Sequence, residues 1–426
     1  MRRIGPALEV RDFRLWWLAI LLMWVSLQML EVAIGWEVYA QHGSALDLGW
    51  IGLAEFVPMF VLALPAGQLA DRAPRRVVFA ASLLLGAGVG VGLALVSGSG
   101  DTAVAPYLAL AAGAGTSMAL GTPAARALPP TLVGPELLQS AMTLRSIATQ
   151  SGQVTGPALG GLLYGASPSL VYLLAAGSCV AAAALVMAMH PAQAADAVVP
   201  AAAAEGEKGP RQSADLHSVL DGLRFVRHTP ILLGAILLDL LAVLFGGAVA
   251  LLPIFAKSIL HVGATGLGVL RAAPAVGALL AAALITRRPI AGRAGRVLLT
   301  VVFVYGGCIV VFGLSRWYPL SLVALAVSGF VDLYSMNIRS TTVALASPDR
   351  LRGRVNAVEM VFISASNQLG YFESGLAAAL VGTIPAVVGG GVMTMLIAVS
   401  WSRLFPALAE VDRLEAIKPR ALQAPA

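Results

Sequence analysis

The stretch LWWLAILLMWVSLQMLEVAIGWEVYA, residues 15–40, decides how this chain folds. A helix needs roughly 20 apolar residues to cross the hydrocarbon of a bilayer, and this run exceeds that length. Arg11 and Arg14 stand just before it. Working outward, runs of the same kind lie near 49–70, 77–97, 105–127, 138–164 and 169–189. After a break they resume near 231–255, 266–286, 297–314, 319–342, 356–381 and 384–405. Such lengths predict an all-α bundle of twelve transmembrane helices, since a barrel would show short alternating segments instead.

Composition agrees. The chain is 58% hydrophobic and 12% charged, with a mean hydropathy of +0.84, whereas soluble domains carry about 25% charged residues. Lipid is therefore the expected solvent. The two cysteines, Cys179 and Cys308, each sit inside an apolar run, which predicts no disulfide framework and no cysteine metal site. His42, His190, His217, His228 and His261 are scattered without ligand spacing. No metal or other cofactor is expected.

The connections alternate in charge. Arg2, Arg3, Arg11 and Arg14 precede the first run, and Arg72, Arg75 and Arg76 follow the second. Lys208, Arg211, Arg224 and Arg227 separate the sixth from the seventh; Arg287, Arg288, Arg293 and Arg296 follow the eighth. Arg350, Arg352 and Arg354 follow the tenth, and Arg413, Lys418 and Arg420 come last. The intervening connections hold little that is basic beyond Lys257 and Arg316. By the positive-inside rule both termini are expected in the cytoplasm of a bacterium, with the chain crossing its inner membrane many times. The sequence pI near 9.6 then reports topology and not a nucleic-acid partner. No cleaved leader is expected, because the first run is too long and Glu31 and Glu37 fall where a cleavage site would stand.

Residues 190–215, HPAQAADAVVPAAAAEGEKGPRQSAD, have no apolar period and read as a linker. An amphipathic segment follows, with Leu216, Val219, Leu220, Leu223 and Val226 on one helical face and Asp221, Arg224 and Arg227 off it. It is expected to lie at the inner interface. The division is thus a six-helix bundle over 1–189, a cytoplasmic linker with an amphipathic helix over 190–230, a second bundle over 231–405 and a tail over 406–426. The halves echo each other at an offset of 216, which relates Gly52 to Gly268, Pro58 to Pro274 and Ala141 to Ala357. A six-span repeat keeps its orientation, so the two halves are expected to be parallel repeats.

Three motifs stand out. GQLADRAPRR, residues 67–76, follows the second run: Gly67 would let helices approach, Asp71 suits the positive end of a helix dipole, and Arg72, Arg75 and Arg76 suit an anionic inner surface. In the fifth run, Gly152, Gly156, Pro157, Gly160 and Gly161 place small residues four apart, which brings helix backbones together. The third is a set: DLYSMNIRS (332–340), SPDRLRGRVNAV (347–358), SASNQLGYFESG (364–375) and LLPIFAKSILHVG (251–263). Together they resemble the major facilitator superfamily, in the branch that includes the enterobactin exporter and related drug/proton antiporters. The resemblance implies the major facilitator fold, and a latch in which Asp71 meets the start of the eleventh helix. Pro74 stands where that family pattern has Gly. It also implies that the fifth-run motif favours exchange over uptake, and that the first, fourth, seventh and tenth helices surround a central cavity.

Ionised groups are rare inside a membrane and persist when they pair, face water or serve function. Glu31, Glu55, Asp239, Arg271, Asp332, Arg339, Glu359 and Glu373 fall within the runs. Counting at 1.5 Å per residue puts Asp239 about 12 Å above the inner end of its helix, near the depth of Arg339, which predicts an Asp239–Arg339 pair. Asp332 is about 10 Å from Arg339 along its helix, too far to share it. Asp332 or Glu31 is then the candidate proton carrier. Gln28, Asn367, Gln368 and Glu373 are candidate substrate contacts, with Glu31 and Glu373 at an outer mouth or a solvated vestibule.

No phosphate loop, HExxH or nucleophile elbow occurs, so neither ATP-driven transport nor enzymatic chemistry is expected. The leading expectation is a proton-coupled exporter of small organic molecules, a siderophore or other metabolite or a drug, acting as a monomer. Its rivals are a proton-coupled uptake symporter and a transport-inactive sensor or scaffold.

Overall fold

The computed structural model describes residues 5–100, 102–190, 216–287 and 292–412. Among them the regular structure is helical, without a strand. Twelve long helices carry the fold: α1 Arg11–His42, α2 Ala45–Arg72, α3 Arg75–Ser99, α4 Val104–Ala127, α5 Leu138–Ala166 and α6 Pro168–Met187, then α7 Pro230–Ile259, α8 Gly263–Arg287, α9 Ala294–Leu314, α10 Tyr318–Ala346, α11 Asp349–Val381 and α12 Thr383–Leu404. Ten are long and apolar enough to cross a membrane. The other two, α5 and α11, occupy the same place in the two repeats and carry the polar residues Arg145, Gln150 and Gln153, and Asn356, Glu359 and Gln368. Large apolar side chains such as Leu95, Leu314 and Leu380 are exposed, as a lipid solvent requires.

Two helices depart from the sequence reading. α11 begins at Asp349 and not near 356, because the extended backbone of Pro348 starts it there. α7 is not one continuous rod. Its α-helix stops at Phe245; Gly246 and Gly247 leave it, and a 3-10 turn over Ala248–Leu251 and a π turn over Phe255–Ile259 follow. Paired glycines weaken the helix, and Pro253 lacks an N–H to continue it. Backbone groups freed inside a bilayer must find partners within the protein. Here Thr394 Oγ1 donates to Ala242 O at 3.4 Å, Tyr305 Oη to Gly246 O at 3.2 Å and Ser374 Oγ to Gly247 O at 3.1 Å.

The chain forms two compact units. The first comprises Met1–Gln41, Ala54–Ala214 and Gly263–Gly268; the second comprises His42–Leu53, Asp215–Val262 and Val269–Ala426. In the first, Phe13, Trp16, Phe79, Leu83, Leu144 and Val186 from α1, α3, α5 and α6 make the core. In the second, Leu238, Leu298, Val302, Ile338 and Trp401 from α7, α9, α10 and α12 do so.

Glycines explain why each unit includes a short piece of the other sequence half. In the first unit the start of α8 lies on α5, where a Cβ added at Gly161 would stand 2.9 Å from Gly268 Cα. In the second the start of α2 lies on α11, where a Cβ at Gly375 would stand 2.8 Å from Gly49 Cα. α2 matches α8 and α5 matches α11 in the repeat, so one crossing occurs twice.

The amphipathic segment is a helix, Leu216–His228. Among its described side chains Val226 is buried, as on the expected face, and Leu223 is exposed, while Phe225 and Gly222 also pack inward, Gly222 on the Arg354 backbone. Phe225 and Val226 join Leu232, Ile236, Val343 and Val355 in a small core. The side chains of Leu216–Asp221 and the linker 191–215 lie outside the described residues. The tail begins attached: Asp412 Oδ1 accepts the Arg293 N–H at 2.9 Å, and the Asp412 and Val411 carbonyls accept the N–H groups of Ala294 and Gly295. These bonds supply partners to N–H groups that the start of a helix otherwise leaves unsatisfied.

Candidate functional site

The second unit holds the charge site. Asp239, on the regular part of α7, meets Arg339 on α10 through Oδ1 and Nη1, and both side chains are nearly buried. Arg339 Nε also donates to Ser335 O at 3.4 Å. Glu359 of α11 adds a second carboxylate in the field of Arg339. A buried guanidinium with two acids around it is better compensated than one with a single partner, since an unpaired buried charge is costly.

Asp332 lies one face-length from that pair. It lines a small cavity together with Asp239, Val302, Tyr305, Val331 and Ser335. Tyr305 is an electrostatic neighbour of Asp332, and its hydroxyl donates to the Gly246 carbonyl. Gly246 allows this approach: a Cβ there would stand 2.6 Å from the Tyr305 ring. The break in α7, Tyr305 and Asp332 thus form one local assembly, and Tyr305 was not legible as a site residue from spacing alone.

The first unit holds the complementary features. The glycine stripe of α5 lies on the backbone of α1: added Cβ atoms at Gly152, Gly156 and Gly160 would meet Trp24 at 2.5 Å, Gln28 at 2.6 Å and Met29 at 3.0 Å. Gln28 is therefore held by its stem against Gly156. Pro157 is buried within an unbroken α5, and its carbonyl would stand 2.3 Å from a Cβ at Gly268. Glu31 is half-buried on α1 and has an interaction partner of its own. Between α1, α3, α4 and α6 is a recess that includes Ser26, Ser82, Ser117 and Cys179. Its serines donate to the carbonyls of Ala175, Phe79 and Ser82 at 2.7–2.9 Å, so the recess presents apolar surface and oxygen lone pairs.

Of the remaining candidates on α11, Asn367 is exposed and donates to Ile363 O at 2.9 Å. Gln368 keeps a buried Oε1 without a hydrogen bond among the described residues. Glu373 is half-buried and interacts with the Ser374 hydroxyl.

In the loop motif, a Cβ at Gly67 would meet nothing within 4 Å among the described residues. Arg75 Nη1 donates to Ala127 O at 3.2 Å and Arg76 Nη1 donates to Met189 O, which caps the ends of α4 and α6 with positive charge. Arg72 is exposed. The Asp71 side chain lies outside the described residues.

Comparison with known proteins places this architecture. The family model described as Major Facilitator Superfamily matches residues 16–371. The chain is 28% identical over 354 residues to the "Enterobactin exporter EntS" of Shigella boydii serotype 18, covering 81% of this chain and 80% of that protein. It has the same identity and coverage with the protein of that name from Citrobacter koseri. Among solved structures, a bacterial homologue of the iron transporter ferroportin has a TM-score of 0.67 at 17% identity, covering 94% of this chain and 99% of that one. A POT family transporter in complex with a thioalcohol-conjugated peptide has a TM-score of 0.71 at 11% identity, covering 93% and 96%. Both share the fold. Multiple apolar spans and these relatives make the chain a multi-pass inner-membrane transporter of small molecules, and it belongs to the major facilitator superfamily.

Proposed function

We propose that this transporter exports a small organic molecule in exchange for protons by alternating access, with Asp332 carrying the coupling proton. The observation that carries the reading is the division of labour on α10: Asp239 and Glu359 compensate Arg339, while Asp332 lines a cavity without an ion pair among the described residues. A carboxyl group in that setting is free to bind and release a proton, whereas one in an ion pair is not. Glu31 is the second candidate. Both termini and the arginine-bearing helix ends face the cytoplasm in this reading, and the monomer suffices.

Relatedness to an enterobactin exporter supports the outward direction, and a secreted siderophore or other metabolite is the preferred substrate class. The recess in the first unit supports a partly apolar substrate that bears hydrogen-bond donors, because its serines offer acceptors only. Substrate contacts are assigned to Gln28, Gln368, Asn367 and Glu373. The test compares small molecules retained by cells lacking the protein with those in cells having it. Export predicts a specific compound that accumulates in the lacking cells and is taken up by inverted vesicles under an imposed pH gradient. Accumulation by right-side-out vesicles instead would reverse the direction.

A further inference from the structure

The helix Leu216–His228 divides around its axis. At about 100° per residue, Gly222, Phe225 and Val226 share one arc and are buried in the second unit, while Leu223, Arg224, Arg227 and His228 share the opposite arc and are exposed. Leu223 is 39% exposed, an apolar side chain in a basic face. The chain then enters a membrane span almost at once. The Thr229 N–H donates to Val226 O at 3.1 Å, and the Thr229 carbonyl accepts from the N–H groups of Leu232 and Leu233 at 3.0 Å. No loop therefore separates this helix from Pro230, the first residue of α7. Six residues, most of them helical, separate Arg224 from Pro230, a distance on the order of 10 Å.

The surroundings are basic. Residues 216–228 and the α11 start on which they dock, 349–355, contain five arginines and two aspartates, a net charge of +3 with the histidines neutral. Gly222 joins the two segments: a Cβ there would stand 2.8 Å from the Arg354 carbonyl oxygen. Asp221 is the one acid of the helix, and its side chain lies outside the described residues. A face that meets only water gains nothing from an exposed leucine beside a span. Basic side chains with an apolar one at the edge of a bilayer are instead the composition that holds an anionic lipid surface. Both cations of the helix are arginine, whose planar guanidinium pairs bidentately with phosphate. Lipid headgroups are already present at the entrance of α7, whereas a soluble acidic partner would have to be brought there.

We propose that Leu223, Arg224 and Arg227 form a binding surface for an anionic phospholipid, the guanidinium groups taking its phosphate and Leu223 the adjoining acyl chain. Lipid held there bears on two helices of the charge site. The amphipathic helix leads directly into α7, which carries Asp239, and docks on α11, which carries Glu359. Anionic lipid is thereby a ligand of the second unit as well as its solvent. The lipid site requires neither a direction of transport nor a coupling ion.

The test places a tryptophan on this face, Leu223→Trp, in the purified full-length chain in phosphatidylcholine nanodiscs. The fluorescence it adds over the wild type is followed as brominated phosphatidylglycerol or brominated phosphatidylcholine replaces part of the lipid. Brominated phosphatidylglycerol is expected to quench at lower mole fraction, and raising salt from about 0.1 M to 1 M should remove the difference, because the Debye length falls from about 10 Å to 3 Å. Adding Arg224→Gln or Arg227→Gln should raise the fraction needed for half-maximal quenching about fivefold. Melting of the chain without the tryptophan covers the case in which Leu223→Trp folds poorly: unbrominated phosphatidylglycerol should raise the wild-type midpoint more than that of Arg224→Gln/Arg227→Gln. Equal quenching by the two lipids, or a midpoint gain unchanged in the double variant, overturns the proposal. Abolition of the phosphatidylglycerol preference by millimolar inorganic phosphate at constant ionic strength overturns it too, since the face would then be a site for free phosphate.

Discussion

Arg339 bonds Asp239 across the α7–α10 contact of the second unit, and Asp332, seven residues earlier on α10, is left to face the cavity. The spacing of 332 and 339 makes that division unavoidable: two helical turns keep both residues on one face but too far apart to share a charge.

The pair is nearly buried, so breaking it should be expensive. Arg339→Gln alone is expected to destabilise the protein by about 3–5 kcal/mol, because it leaves Asp239 without its cation, and Asp239→Asn by less, because Glu359 still lies in the field of Arg339. The double variant should recover much of that loss. Unfolding of the purified single and double variants in mixed micelles measures both effects, and a loss in the double equal to the sum of the two single losses would show that the pairing contributes little.

The glycines divide sharply into contact and non-contact positions. Gly161→Ala must push apart α5 and the start of α8, where the new Cβ would stand 2.4 Å from the Ala264 carbonyl. Overpacking of this kind costs about 1–3 kcal/mol. Gly67→Ala meets no neighbour among the described residues and removes a helix-weakening residue, with an expected gain of up to about 1 kcal/mol. Thermal stability of the two variants should move in opposite directions.

The arginines after α2 separate in the same way. Arg76→Ala and Arg75→Ala each remove a side chain that donates to a helix-end carbonyl, and each is expected to lose about 1 kcal/mol. Arg72→Ala should be nearly silent, because Arg72 is exposed and surface changes are usually within about 0.5 kcal/mol. A loss confined to Arg72→Ala would contradict the capping role.

Fold and site were legible to different depths. Hydrophobic length and alternating arginines are one-dimensional signals, so the helices could be read from the chain, though α11 starts at Asp349, well before the apolar run that marked it. Depth counting on α7 and α10 brought Asp239 and Arg339 to one level because helical rise is constant. It missed the break in α7, since Gly246, Gly247 and Pro253 sit inside an uninterrupted apolar run.

The central claim is that Asp332 couples export to protons. Its most direct measurement follows pH in the lumen of vesicles containing the purified chain, oriented inside out, as the exported compound is added to an established gradient. The wild type should dissipate the gradient on addition of the compound. Asp332→Asn should not, while still exchanging labelled for unlabelled compound with no gradient imposed. Gradient dissipation by Asp332→Asn at the wild-type rate would contradict the account.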